Sequence, residues 1–229
     1  MSRQTNDYVL LTDINPRSSL SETYRTLRTN THYADAERPP RKICVASSIH
    51  REGRTITAAN LAISYALEGK KTLLVDADLR NPSLHKVFGI SNASGLTQYL
   101  RSAGKTETYI VPTYVERLSL LPAGPAPKNP SELLASDRMG DLMNDSLAEY
   151  EIVIFDTPPV LLVTDAQVVA ARSDGVLFVI GAGKVKRDSA AQAKQLLEHV
   201  HASILGVVFN GKKKASTELL YRKYRALAE

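Results

Sequence analysis

The chain has 229 residues, of which 43% are hydrophobic and 23% charged, which is the composition of an ordinary globular protein with a sizeable core. No apolar run approaches the roughly 18 residues that a membrane helix needs, and the polar start does not resemble a secretory signal, so we expect a cytoplasmic protein. The formal net charge of +5 could indicate a nucleic-acid partner. Most of this charge is local, however, because from Lys212 onward the chain has six Lys or Arg and only two Glu. The sequence also has no basic stripe interleaved with aromatic residues. We therefore expect no nucleic-acid partner.

The N-terminal region divides into an arm and a helix. Residues 1–17 are polar, have no sustained period and end in an Asn-Pro-Arg breaker, which predicts a flexible arm. In the helix that follows, Glu22, Arg25 and Arg28 recur every three residues and therefore share one side. That side is either an exposed, salt-bridged face or a contact surface.

A short apolar strand, a polar turn and an Ala-rich helical segment come next. The strand covers residues 43–46, and apolar residues at helical spacing continue after the turn to a C-cap signal at Gly69. A phosphate-binding loop has this setting, because the loop and the first helical turn present unpaired N–H groups and the positive end of the helix dipole. The usual G-x-x-x-x-G-K-[ST] pattern is met in part, by Ser48, Gly53, Arg54 and Thr55.

Two further apolar runs, residues 73–75 and 152–155, end in aspartates. Fully buried strands of a parallel sheet read as continuous apolar runs, and ligands bind at their carboxyl ends. We therefore expect Asp76, Asp78 and Asp156 to converge on the phosphate loop. Each of them alone could equally be a helix cap or a solvated loop carboxylate.

The rest of the chain continues the alternation of strands and helices. Strands are predicted at residues 118–121, 176–180 and 204–209, and helices at 131–149, from 165 onward and at 188–201. Residues 122–130 contain four prolines and predict a rigid loop. The pattern predicts an α/β fold like that of the P-loop NTPases, with a mostly parallel sheet and helices on both faces.

On these motifs the chain resembles the bacterial tyrosine kinases (BY-kinases) of the single-domain cytoplasmic type that serves capsule and exopolysaccharide synthesis. Residues 76–85 resemble the second Walker A-like motif of that family, residues 150–159 its Walker B motif, and residues 121–134 a segment between the two. The Glu-x-x-Arg-x-x-Arg run from residue 22 is similar to its ring-assembly motif. The first Walker motif departs from the family pattern P-G-x-G-K-[ST]-T, since here it reads His50-Arg51-Glu52-Gly53-Arg54-Thr55-Ile56.

The resemblance implies a P-loop kinase domain over residues 18–211 that uses ATP and Mg²⁺. It implies a catalytic role for Asp76, beside the tyrosine hydroxyl, and for Arg54, in place of the family's lysine. The implied nucleotide contacts are Glu52, Gly53, Arg54, Thr55, Ile56 and Asn210. The implied Mg²⁺ ligands are Thr55, Asp78 and Asp156.

The resemblance also implies phosphoacceptors and partners. Within the basic tail, residues 212–229, Tyr221 and Tyr224 are the candidate phosphoacceptors, although both could instead pack on the domain as part of an amphipathic helix. A head-to-tail homo-oligomeric ring would close through Glu22, Arg25 and Arg28. The cytoplasmic tail of a transmembrane polysaccharide co-polymerase would act as the adaptor that recruits the kinase to the inner face of the cell membrane.

Two substitutions in the loop affect what activity we expect. Arg51 stands where the family has a glycine that reaches φ > 0 easily, and Arg54 is longer and bulkier than lysine. Three interpretations therefore stay open: an ATP-dependent tyrosine autokinase, a pseudokinase that acts as an interaction module of the same pathway, and a partition- or septum-type ATPase.

Overall fold

The computed structural model describes residues 10–11, 18–102 and 104–211. Within these residues the strands are β1 Lys42–Ser47, β2 Thr72–Asp76, β3 Val111–Pro112, β4 Leu118–Leu121, β5 Ile152–Asp156, β6 Gly175–Gly181 and β7 Ile204–Asn210. The α-helices are α1 Ser19–His32, α2 Arg54–Leu67, α3 Leu84–Phe88, α4 Leu96–Arg101, α5 Pro130–Ala135, α6 Asp137–Glu149, α7 Asp165–Ala170 and α8 Arg187–His199. None of the described helices is both long and apolar enough to cross a membrane.

The strands form one sheet in the order β3-β4-β2-β5-β1-β6-β7, and every neighbouring pair is parallel except β3 and β4 at one edge. The residues of β1, β2 and β5 are almost all buried, because helices cover both faces of the sheet. One core includes residues of α2 and α3, and the other includes residues of α4 to α8. The predicted α/β fold with helices on both faces is confirmed.

The strand order is what creates a site. It places β2, β5 and β1 side by side, and Asp76 at the end of β2 is in register with Asp156 at the end of β5. The loop that follows β1 leaves the sheet at the same edge. The carboxylates of Asp76 and Asp156 therefore lie close to the loop after β1, although these residues are far apart in the sequence.

The single helix predicted at residues 131–149 is two helices. α5 ends and α6 begins at Ser136, whose backbone is extended, with φ −62° and ψ 159°, values typical of an N-cap. Its hydroxyl donates a hydrogen bond to the Leu133 carbonyl at 2.6 Å, which satisfies one of the last carbonyls of α5. Hydrophobic periodicity alone continues across this break, and for that reason the prediction missed it.

Two residues of the predicted flexible arm are buried in the domain. Leu10 and Leu11 lie in the core on the α2 side of the sheet, and the Leu11 N–H donates to Asn60 Oδ1 at 2.8 Å. An apolar pair gains more by leaving water than it loses in chain entropy, so the arm is held at this point. The rest of residues 1–17 lies outside the described residues, and its flexibility stays a prediction.

The three arginine-motif residues of α1 have different surroundings. Arg28 donates to the Ser64 carbonyl at 2.8 Å and pairs with Glu68 at 3.0 Å, and its side chain is only 16% exposed. Glu22 and Arg25 form an exposed ion pair on the helix surface. Arg28 therefore fastens α1 to α2 within the chain, whereas Glu22 and Arg25 are accessible for the ring contact, which stays a prediction.

We expect Arg28→Ala to lower the free energy of unfolding by about 1–3 kcal/mol, because it removes the donor for a part-buried carbonyl. Arg25→Ala is the matched control and should change it by no more than about 0.5 kcal/mol, since exposed ion pairs contribute little. Urea denaturation at low protein concentration measures both. Equal losses in the two variants would contradict the anchoring role of Arg28.

Candidate functional site

The loop between β1 and α2 is closed by side chains from β7. Gly53, the N-cap of α2, has φ +93°, and a Cβ at this position would lie 1.7 Å from Asn210 Nδ2. Only glycine satisfies both the left-handed backbone and the close approach. The Asn210 amide donates to the Glu52 carbonyl at 2.8 Å, so the end of β7 holds the loop in place.

Glu52 has a structural role that the sequence analysis did not foresee. Its buried carboxylate accepts hydrogen bonds from the N–H of Ile49 at 2.8 Å and from that of Gly181, in β6, at 3.0 Å. These bonds stabilise the loop against the sheet. Both carboxylate oxygens are engaged in this way, so a nucleotide contact at this position falls to the backbone of Glu52.

Arg51 adopts the conformation that the family pattern reserves for glycine. Its φ is +64°, in the left-handed region, and its side chain is exposed. Lys184 donates to its carbonyl at 2.7 Å and so helps to hold the peptide in this orientation. The loop therefore has a left-handed backbone at Arg51, at the steric cost that a Cβ imposes there.

Asp76 is completely buried, and half of its carboxylate is satisfied. Its Oδ2 accepts from the N–H groups of Ser83 and Leu84, at 3.1 and 3.0 Å, where α3 begins. Its Oδ1 has no hydrogen-bond partner among the described residues. Burial, followed by repulsion from Asp156, raises the pKa of Asp76 well above its ordinary value.

Arg54 lies between the other two aspartates. Its Nε donates to Asp156 Oδ1 at 2.8 Å and its Nη2 to Asp78 Oδ2 at 2.9 Å, while Nη1 reaches Ser47 Oγ at 3.4 Å. The residue is only 8% exposed. Burial raises the pKa of Asp156, and the Arg54 charge opposes that rise. The family resemblance implies that Arg54 contacts phosphates, but in this conformation its guanidinium neutralises Asp78 and Asp156.

The residues present fit a nucleotide with a magnesium ion in their chemistry. The cleft in front of the loop measures about 510 Å³, within the range of small-molecule sites, and Arg54, Thr55 and Asp78 line it. Ser48 Oγ and Asp156 Oδ2 are buried and, like Asp76 Oδ1, have no hydrogen-bond partner in the described part of the chain. Such atoms call for a ligand or water.

The cleft offers few protein side chains as ligands for a magnesium ion. Thr55 follows Arg54 in the first turn of α2 and lines the cleft, and Arg54 bridges Asp78 to Asp156. No set of three His, Cys, Asp or Glu side chains in the described ranges is arranged to hold a metal alone. This matches Mg²⁺ sites in which one or two carboxylates share the ion with substrate phosphates.

A second ion-pair network, which the sequence analysis missed, supports the site. Arg80 donates to both oxygens of the buried Asp165, at 2.9 and 3.1 Å, and the Ser131 hydroxyl donates to the same carboxylate. The network links the segment after Asp78 to the starts of α5 and α7. The only signal in the sequence was an arginine two residues after Asp78, whose partner cannot be read from spacing.

The candidate phosphoacceptors Tyr221 and Tyr224 lie outside the described residues, and their role stays a prediction.

We expect Arg51→Gly to raise the free energy of unfolding by about 1 kcal/mol, because it removes the Cβ from a left-handed backbone. Arg51→Ala removes the same charged side chain but keeps the Cβ, so it should give no such gain. Thermal and urea denaturation of the two variants separate backbone strain from charge. An equal gain in the free energy of unfolding for Arg51→Ala would contradict backbone strain at this position.

We expect Asp76→Asn to make the protein less sensitive to alkaline pH. Because the folded-state pKa of Asp76 is raised, its contribution to stability is complete below the unfolded value of about 3.9 and is lost as pH rises through the folded value. The variant should therefore gain about 1–3 kcal/mol over wild type at pH 8, and less at pH 5.

Urea denaturation at the two pH values tests this, with the exposed Asp141→Asn as the control. A difference between Asp76→Asn and wild type that does not grow with pH would contradict the raised pKa.

Comparisons with known proteins agree with this geometry. The family model described as an AAA domain matches residues 41–205. The tyrosine-protein kinase YwqD of Bacillus subtilis is 42% identical over 93% of this chain and 89% of its own length.

Two solved structures superpose closely. The chimerical protein CapA2B2 matches with a TM-score of 0.85 and 37% identity, over 90% of each chain. The kinase domain of the Escherichia coli tyrosine kinase ETK matches with a TM-score of 0.84 and 33% identity, over 94% of this chain and 85% of that one. With Asp76, Asp78 and Asp156 gathered beside the loop that precedes α2, and with relatives this similar over nearly their whole length, the chain belongs to the bacterial tyrosine-protein kinase family.

Proposed function

We propose that this protein is an ATP-dependent tyrosine kinase that transfers the γ-phosphate of ATP to Tyr221 and Tyr224 of its own or a neighbouring chain. The observation that carries the proposal is the convergence of the loop before α2 with Asp76, Asp78 and Asp156 at one edge of the sheet. Phosphoryl transfer depends chiefly on positioning and electrostatics, and these residues supply both.

In this proposal the loop binds the phosphates. The backbone N–H groups of residues 51–56 and the N-terminal end of the 14-residue helix α2 attract an anion into the cleft. Asn210 and Glu52 keep those N–H groups in place, since they tie the loop to β7 and β6. Bound Mg²⁺ would neutralise developing charge on the phosphates, and Thr55, Asp78 and Asp156 would hold it.

Asp76 is the residue proposed to act on the tyrosine hydroxyl. A phenol has a pKa of about 10 and needs help to lose its proton near neutral pH. Asp76 presents a buried oxygen without a partner, and its raised pKa makes it a stronger proton acceptor than an ordinary carboxylate. The hydrogen bonds from Ser83 and Leu84 fix the orientation of the carboxylate.

The wider setting of the activity is proposed from the family resemblance. The kinase would regulate capsular or exopolysaccharide synthesis, and the cytoplasmic tail of a transmembrane adaptor would recruit it to the inner face of the cell membrane. A homo-oligomeric ring would bring a neighbour's tail to the active site. In α1, the exposed Glu22 and Arg25 are better placed for that contact than Arg28, which is engaged by α2.

A pseudokinase is the second candidate function, and one observation favours it. Arg54 engages both Asp78 and Asp156, the carboxylates that would hold the metal. If this pairing persists with nucleotide present, the protein would assemble and bind partners without turnover.

Transfer of radiolabel from ATP to the purified chain, followed by a phosphotyrosine blot, distinguishes the two functions. We expect label on tyrosine, lost in Tyr221→Phe/Tyr224→Phe and reduced about 10²- to 10⁴-fold in Asp76→Ala. Asp141→Ala, on the exposed face of α6, is the control and should keep wild-type labelling.

The assay is run with and without the adaptor's cytoplasmic peptide, alongside calorimetric titration with ATP and Mg²⁺. Nucleotide binding without phosphotyrosine in either condition would support the pseudokinase. Phosphate release from ATP without phosphotyrosine would indicate an ATPase of the partition or septum type.

A further inference from the structure

The position of Arg54 is unusual for a residue at the start of a phosphate-binding helix. Its guanidinium spans the two carboxylates with two different nitrogens, Nε to Asp156 and Nη2 to Asp78, at 2.8 and 2.9 Å. Burial disfavours the charged form of Arg54, but the nearby carboxylates, Asp156 foremost, outweigh this and raise its pKa. One buried cation therefore pairs with two buried carboxylates.

The contacts of Arg54 are those that a bound metal would otherwise make. Asp78 Oδ1 already accepts the N–H of Asn81 at 3.0 Å, so its free oxygen is Oδ2, and Arg54 takes it. Of the Asp156 oxygens, Arg54 takes Oδ1, and Oδ2, which has no partner among the described residues, belongs to the same carboxylate and so lies close to the guanidinium. Because a guanidinium this close repels a divalent cation, metal and Arg54 cannot share these carboxylates in the same arrangement.

We propose that Arg54 is the resident counter-ion of this site: in the nucleotide-free protein its guanidinium holds Asp78 and Asp156 and keeps divalent cations from binding them. Phosphates in the cleft attract the guanidinium away, and only then do the carboxylates become available to a metal. The second statement depends on the proposed nucleotide binding, whereas the first does not.

The geometry explains why this device needs an arginine. A guanidinium is a planar fork that can contact two carboxylates at once, whereas a lysine ammonium is a compact point charge on a shorter side chain. Lysine at this position would release at least one carboxylate. Arg54 also lines the same cleft as the loop residues Arg51 and Gly53, so phosphates bound there would lie within its reach.

The position of Thr55 couples the two events. This candidate metal ligand follows Arg54 directly in the first turn of α2 and lines the same cleft. When the Arg54 side chain moves away, the carboxylates lose its guanidinium and can bind a divalent metal ion instead. We infer that metal and nucleotide bind cooperatively, since each favours the same displaced Arg54.

The test is Mn²⁺ binding to the nucleotide-free full chain. The electron paramagnetic resonance signal of free Mn²⁺ measures how much of the ion stays unbound. We expect Arg54→Lys to bind Mn²⁺ at least tenfold more tightly than wild type, and Arg54→Lys/Asp78→Asn to lose that gain. Arg101→Lys is the matched control, because it makes the same change at an exposed arginine of α4 that does not line the cleft, and it should behave as wild type.

Thermal unfolding gives a second readout. In Arg54→Met the carboxylates lose their cation, so its melting temperature should rise with added Mg²⁺, while that of wild type should not. If Arg54→Met fails to fold at any Mg²⁺ concentration, the comparison of Mn²⁺ affinity between Arg54→Lys and wild type alone tests the counter-ion role. Wild type that binds Mn²⁺ as tightly as Arg54→Lys overturns the proposal, and so does a lack of binding in both.

A final titration adds a non-hydrolysable ATP analogue to wild type. Mn²⁺ binding that appears only with the analogue supports displacement of Arg54. If the nucleotide-free results are as expected but the analogue induces no Mn²⁺ binding, the counter-ion role stands, and the displacement step together with the nucleotide-binding part of the proposed function is overturned.

Discussion

The charge balance between Arg54 and the aspartates is the constraint on which the site depends. Parallel strands bring Asp76 and Asp156 into register at one buried edge, where like charges in a poor dielectric repel strongly. Without a cation the site would have to bind protons or open to water. The first turn of α2 supplies that cation from within the chain, because Arg54 pairs with Asp78 and Asp156 at the buried strand ends.

The phosphate loop is stabilised from the opposite side of the cleft. Glu52 ties it to β6 and Asn210 ties it to β7, and both bonds use backbone groups of the loop or the neighbouring strand. A loop held in this way tolerates Arg51 in a left-handed conformation, because its surroundings and not its own preference determine the backbone. Arg51 therefore keeps a left-handed backbone, for which glycine is the usual residue, whereas Arg54 places a guanidinium between two aspartates of the site.

Several features of this protein were predictable from local patterns. Continuous apolar runs indicated the buried central strands, and their alternation with helices indicated the fold. The position of the aspartates after two such runs was enough to predict that they meet near the loop, since parallel strands present their carboxyl ends at one edge. The break at Ser136 and the burial of Leu10 and Leu11 were not predictable in this way, because a capping hydrogen bond and a docking surface have no periodicity.

The sequence by itself determined the alternation of strands and helices and the residue types that gather beside the loop between β1 and α2. Only the tertiary structure decided which partner each charged side chain has. Arg28 contacts its own α2, Glu52 binds backbone N–H groups, and Arg54 pairs with two aspartates more than 20 and 100 residues away. The reason is physical: a strand or helix forms from local preferences, but a buried charge takes the nearest opposite charge in space, and packing alone sets that distance.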